Sequence, residues 1–228
     1  MLKNSMLTVD RSEIYRYLGY RRQEPDEQIR GMVDECLASL LPQLELRQVH
    51  RFFDLEWMDP VTACIGDLQI RSRALSRNLQ GCSQACLMAA TIGLAVDRES
   101  RRAQVRGKAS QAVIIQAAGA ALIEAWCDKV NEQIRQEAAA RGMFLRPRFS
   151  PGYGDFPLAC QTELFRLLQV SRHTGITLTE SLMMMPSKSV TAVIGLSSSD
   201  TSCILSGCEA CGRSGTCRFS RLYSRAIE

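Results

Sequence analysis

The chain has 228 residues, 46% of them apolar and 23% charged, with a formal net charge of +4. That composition holds enough apolar surface to offset chain entropy, which excludes pervasive disorder, and the charge is too weak to argue for nucleic acid. The longest nearly apolar run, Ala85 to Val96, is short of the ~20 residues a bilayer needs, and Lys3, Asp10, Arg11 and Glu13 precede any apolar core. Neither a membrane span nor a signal peptide is expected, and the expected setting is cytoplasmic.

Residues 1–9 read as frayed. Asp10 to Leu18 reads as a short helix with Asp10 as N-cap, Glu13 three residues on and Gly19 as the stop. In Glu24-Pro25-Asp26-Glu27 the proline suits a first helical position and the acids suit the positive end of the dipole. Ile29, Met32, Val33, Cys36, Leu37, Leu40 and Leu41 then repeat at helical spacing until Pro42. Extended segments are expected over Leu44–Glu56 and Cys64–Ile70, and a short helix over Ala74–Leu79. Cys86–Gly93 reads as a buried strand, although the pattern also allows a buried helix. Asp97 is placed to cap a polar helix, Arg98–Gln104.

A long helix is expected from Ser110 to Ala139, with the stripe Val113, Ile114, Ala117, Ala121, Leu122, Ala125, Trp126, Val130 and Ile134. Arg146 to Pro157 carries three prolines and two glycines and must be a rigid, turning loop. Gln161–Val170 reads as a helix. Ser181–Met185 and Ser189–Leu196 read as two strands across a Pro-Ser-Lys turn, and Ser197–Ser202 as a polar linker. Early helices and late short strands predict an α+β fold with a largely antiparallel, twisted sheet and flanking helices.

Two histidines, His50 and His173, read as hydrogen-bonded structural residues, and the arginines 98, 101, 102 and 106 as a solvated helix face. No glycine-rich dinucleotide or P-loop motif and no Gly-x-Ser-x-Gly elbow is present. Of ten cysteines, six are scattered among apolar residues as small core side chains. The other four, Cys203, Cys208, Cys211 and Cys217, crowd into a loop with Gly207, Gly212 and Gly215. Four thiolates so close can wrap one tetrahedral centre, zinc or an iron–sulfur cluster. Disulfides and inert thiols are the other readings. The expected division is a domain over residues 1–199 and a cysteine-rich, metal-binding tail over 200–228, set apart by the linker.

A second constellation joins Glu124 on the long helix to Arg148, Gly152 and Tyr153 in the rigid loop. It offers an arginine fork for a carboxylate, a glycine that admits a ligand to the backbone, and a ring to stack. An ordinary connector with surface Arg and Tyr has the same composition.

Arg148-Phe-Ser-Pro-Gly-Tyr, His173-Thr-Gly-Ile-Thr-Leu-Thr-Glu-Ser181 and Met185-Pro-Ser-Lys-Ser-Val190 resemble the activation (reactivation) domain of vitamin B12-dependent methionine synthase. Glu124-Ala-Trp-Cys-Asp128 is similar to the family's long helix. Arg16-Tyr-Leu-Gly-Tyr-Arg-x-Gln-Glu-Pro-Asp26 and Ala90-Thr-Ile-Gly93 resemble its short, stand-alone members. The likeness runs from about Asp10 to Ser199, and the cysteine tail lies outside it. It implies binding of S-adenosylmethionine: Arg148 gripping the methionyl carboxylate, Glu124 toward the cationic part, Gly152 and Tyr153 shaping the pocket. It also implies a corrinoid protein as partner, which carries the cobalamin, and an electron source. An iron–sulfur tail could supply that electron, or a separate donor protein could. No folate, homocysteine or methyl-transfer module is visible, so the chain is expected to serve a synthase rather than be one. The alternatives are a corrinoid-protein docking or chaperone module with a structural zinc tail, and a self-contained methyltransferase. The missing glycine-rich Rossmann start argues against the latter.

Overall fold

A computed structural model of the chain describes residues 7–20 and 23–200. Helix α1 (Arg11–Leu18) is capped by the Asp10 carboxylate, which accepts from the Ser12 N–H at 2.9 Å, and it ends at Gly19 with φ +97°. Glu13 pairs with Arg16 instead of closing a capping box. Leu7 is buried in the core, so residues 7–9 are not the frayed lead-in expected. Helix α2 (Glu27–Leu40) is capped by Asp26, which accepts from Ile29 N–H at 2.8 Å. Pro25 therefore precedes the cap and does not occupy the first helical position. Pro42 lies in a 3-10 turn, Leu41–Gln43.

Strands β1 (Arg47–Asp59), β2 (Thr62–Ile65) and β3 (Leu68–Arg71) form a meander, with β1 starting three residues later than expected. Helix α3 (Arg73–Asn78) leads to β4 (Gln84–Thr91), which resolves the ambiguous apolar run as a strand. Helix α4 (Ala95–Val105) begins before Asp97. Asp97 is not its cap but accepts from Ser187 N–H at 3.1 Å. The earlier start lets Ala95 and Val96 pack into the core.

Helix α5 (Ala109–Ala139) spans 31 residues. By length and composition it is long and apolar enough to cross a membrane, unlike the shorter Ala85–Val96 run. Its apolar side is used in the core, where Ile114, Leu122, Trp126, Val130 and Ile134 are buried. Val113, placed on that stripe by the sequence, is exposed instead.

Strand β5 (Phe144–Leu145) and the Pro-Gly loop precede α6 (Cys160–Leu168) and α7 (Val170–Thr174). The single helix expected over Gln161–Val170 is broken at Gln169, whose φ is +48°. Strands β6 (Thr177–Leu178), β7 (Met184–Met185) and β8 (Ser189–Ser197) complete the fold.

The β7–β8 hairpin expected across Pro-Ser-Lys does not form. β7 pairs with β6, while β8 lies between β4 and β5. Both edges of β8 are already taken, and Pro186, next to β7, has no N–H to donate to a ladder. Ser197, expected in the linker, is buried at the end of β8.

The main sheet is antiparallel in the order β3-β2-β1-β4-β8-β5. Alternation along the strands divides the core. Cys86, Met88, Ala90, Ala192, Ile194 and Leu196 meet α1, α2 and α5. Ala85, Leu87, Ala89 and Val193 meet residues from α3, α6, α7 and the Pro-Gly loop. The mixed helix and antiparallel sheet agree with the fold class expected.

Candidate functional site

Phe149 exchanges two backbone hydrogen bonds of 2.9 Å with Val193, and Arg146 N–H donates to Gly195 at 2.8 Å. These bonds carry the pairing begun by β5 along the outer edge of β8. Side chains alternate along an extended segment, so neighbours leave on opposite faces. Phe149 goes to one face and stacks on Phe156, with ring centroids 6.3 Å apart. Arg148 goes to the other and meets α5. There its Nη2 lies 3.1 Å from Glu124 Oε2 and 2.9 Å from Asp128 Oδ1.

Glu124 and Asp128 share a helix face because they are four residues apart. Sequence reasoning missed Asp128 as a partner of Arg148; its four-residue spacing from Glu124 is the signal for it. One guanidinium between two carboxylates leaves one negative charge. Arg148 is largely covered, the carboxylates are more exposed, and the Arg148 Nη1 is buried without a hydrogen-bond partner. Beneath them Cys127 is fully buried; burial pushes its thiol up to about 12, so it stays neutral.

The loop is held at its far end by Asp155. Its carboxylate accepts from Ser72 Oγ at 2.6 Å, Arg73 N–H at 2.8 Å and Ala74 N–H at 2.9 Å, tying the loop to the start of α3. The Ser72 hydroxyl, then the backbone N–H groups, hold its pKa down to about 2. Sequence reasoning missed Asp155; an Asp after Gly-Tyr-Gly was visible, but its receptor lies some eighty residues away. Gly152 has φ +91°, while a Cβ there would meet nothing closer than 3.6 Å. Backbone conformation, not crowding, is what calls for glycine at this turn. Gly152 N–H donates to Phe156 O at 2.9 Å, and the next residue, Tyr153, is 66% exposed.

Of the expected binding residues, Glu124 and Arg148 are in contact, and Gly152 and Tyr153 follow on the same anchored loop. Cys203, Cys208, Cys211 and Cys217 lie outside the described residues. Among the described residues no three His, Cys, Asp or Glu side chains converge as a metal site. Cys36, Cys82, Cys86 and Cys127 are buried and Cys64 and Cys160 half-buried. His50 is structural: its Nε2 lies 3.1 Å from Glu137 Oε2 and its Nδ1 3.0 Å from Gln48 Oε1. Two clefts lie away from Arg148. One of about 480 Å³ includes Phe52, Asp54 and Arg141, and one of about 390 Å³ includes Met32 and Lys108.

Residues 77–202 match the family model of the vitamin B12-dependent methionine synthase activation domain. The fold is similar to the crystal structure of the MetH reactivation domain bound to AdoHcy, with a TM-score of 0.63 and 19% identity. That similarity covers 82% of this chain and 73% of the other. No curated protein matches the chain in sequence. The stretch matched by the family model is more than half of the chain and contains β8, α5 and the loop that seats Arg148, and the chain belongs to the activation-domain family of vitamin B12-dependent methionine synthases.

Proposed function

We propose that the chain restores a corrinoid protein to its active state, binding S-adenosylmethionine at the Arg148 corner. The observation that carries this reading is Arg148 held between Glu124 and Asp128 with its Nη1 unpartnered. S-adenosylmethionine has a carboxylate, an ammonium and a sulfonium, a net charge of +1. One guanidinium and two carboxylates form the complementary set. Arg148 would take the carboxylate, Glu124 and Asp128 would face the cationic groups, and Tyr153 would offer its exposed ring. The ligand supplies a methyl group that traps reduced cobalt on the partner; the protein's own part is orientation and charge.

The partner on this reading is a cobalamin-bearing methionine synthase or a related corrinoid protein in the cytoplasm. Residues 200–228 form a separate cysteine-bearing unit that binds iron–sulfur or zinc through Cys203, Cys208, Cys211 and Cys217. An iron–sulfur centre there would bring the electron. One observation favours the docking reading, with a zinc tail and no small ligand: Arg148 Nη2 is already satisfied within the chain.

Titration calorimetry with S-adenosylmethionine and S-adenosylhomocysteine separates the two. Binding is expected, and Arg148→Ala should weaken it by ~2 kcal/mol or more through loss of a charge-assisted contact. No heat at millimolar ligand would leave the docking reading standing. Metal analysis of anaerobically purified protein, with visible absorption, decides iron–sulfur against zinc.

A further inference from the structure

The guanidinium of Arg148 rests on one small patch of α5. Helix positions i, i+3, i+4 and i+7 surround a single such patch, because residues three and four apart are neighbours on the helix surface. Here those positions are Glu124, Cys127, Asp128 and Asn131. Three of the four are tied to Arg148. Glu124 and Asp128 pair with it at 3.1 and 2.9 Å, and its charge works against burial on the Cys127 thiol. Asn131 is the fourth side of the patch.

Asn131 is half-buried, and its Oδ1 is buried without a hydrogen-bond partner. Arg148 Nη1 is in the same condition. Among the described residues the other such atoms, Asn78 Oδ1 and Ser100 Oγ, belong to α3 and α4, so these two are the pair that share a patch. One is an acceptor and the other a donor, yet they do not bond each other. Buried polar atoms are seldom left unpaired, because burial takes away the water they would otherwise bond. A donor and an acceptor around one patch match the two charged ends of an α-amino acid: its carboxylate takes the donor and its ammonium serves the acceptor. A lone anion or a lone cation would leave one of the two unmatched.

We propose that Asn131 is a further binding residue of the Arg148 corner, its Oδ1 accepting from the ammonium of an amino-acid head group whose carboxylate is held by Arg148 Nη1. The proposal rests on the reading of that corner as an S-adenosylmethionine site and says which part of the ligand is recognised. An ammonium has three N–H groups, so one serves Asn131 while another faces Glu124 or Asp128. Arg148 alone would take any carboxylate. Asn131 adds a demand for the amino group, because a ligand lacking it leaves the amide oxygen unpaired.

The test is titration calorimetry on the full chain with S-adenosylhomocysteine, which shares the head group, and with its analogue in which hydrogen replaces the amino group. The wild type should prefer the amino ligand. Asn131→Leu keeps the volume and removes the acceptor, and should narrow that preference by about tenfold. Its affinity for the analogue should be nearly unchanged, which also shows that the variant is folded. Asn131→Asp keeps an acceptor and should keep or widen the preference; this variant decides the matter if the leucine one does not fold. An undiminished preference in Asn131→Leu would overturn the proposal and leave the reading of the Arg148 corner intact. So would an equal loss for both ligands, the mark of a structural role, or a preference lost in Asn131→Asp. A wild type that binds neither ligand would overturn the reading of the corner itself, and this proposal with it.

Discussion

The two faces of the sheet are covered in different ways. One is packed by α5, 31 residues long, with α1 and α2. The other is packed by α3, α6, α7 and the Pro-Gly loop, with no helix longer than nine residues. A long helix presents many residues to the sheet in a fixed relation, so its packing follows from its periodicity. Short elements cannot hold position that way. Besides buried side chains such as Leu75, Phe156 and Leu164, they are fixed by polar anchors: the Asp155 carboxylate on α3 and Gln161, which donates to Leu182 O at 3.1 Å. Arg148 lies where the two coverings meet: its backbone belongs to the loop and its ion pairs belong to α5.

The largest test of this contrast removes one core side chain from each face. Leu122→Ala and Phe156→Ala both empty fully packed positions, and each should cost about 3–4 kcal/mol in chemical denaturation. They should differ in hydrogen exchange. Phe156→Ala should loosen residues 146–157 locally, whereas Leu122→Ala should lower protection throughout. Equal, uniform loss in both would mean that the loop is no more independent than the helix.

Close packing of α5 gives the next effect. A Cβ on Gly119 would lie 2.6 Å from Val96 Cγ1, whereas one on Gly31 in α2 meets nothing within 4 Å. Alanine in place of helical glycine gains up to ~1 kcal/mol, and overpacking costs ~1–3 kcal/mol. Val96 is fully buried and β-branched, so it cannot turn aside. Gly119→Ala should therefore lower the melting temperature, and Gly31→Ala should raise it.

Acid should weaken the loop's anchor. The folded-state pKa of Asp155 is about 2, below its ordinary 3.8. A depressed carboxylate stabilises fully above its unfolded pKa and loses that contribution as pH falls through the folded one. The loss belongs between about pH 4 and pH 2, and solvent screening at this exposed site reduces it to about 1 kcal/mol. Asp155→Asn should remove that step from the stability–pH curve. A curve unchanged by the substitution would show that the anchor contributes nothing.

The smallest stability effect is expected at Arg148. Its partners are half-exposed or more, so Arg148→Ala should cost under ~1 kcal/mol of stability. A larger loss would make the residue a structural staple rather than a binding group.

Much of the fold was legible in local pattern. The repeat from Ile29 to Leu41 and the stripe along α5 state their helices, because helical contacts recur every three or four residues. Asp10 caps α1 as its chemistry requires, whereas Asp26 takes the cap position that the reading of Pro25 passes over. Residue type and family likeness single out Glu124, Arg148, Gly152 and Tyr153 as candidates, and the fold brings Glu124 and Arg148 into contact. What local pattern could not supply was partnership at a distance. The sequence around Pro186 suggests a β7–β8 hairpin, yet β8 pairs with strands nearly a hundred residues earlier and over forty residues earlier. Asp128 joins Arg148, and Asp155 joins α3, for the same reason. By itself the sequence determined the two strongly periodic helices, α2 and α5, and the mixed α+β class, because those follow from contacts that recur within a few residues. The tertiary structure alone decided which strands pair and which charges meet, because those choices compare contact energies between segments that are far apart along the chain.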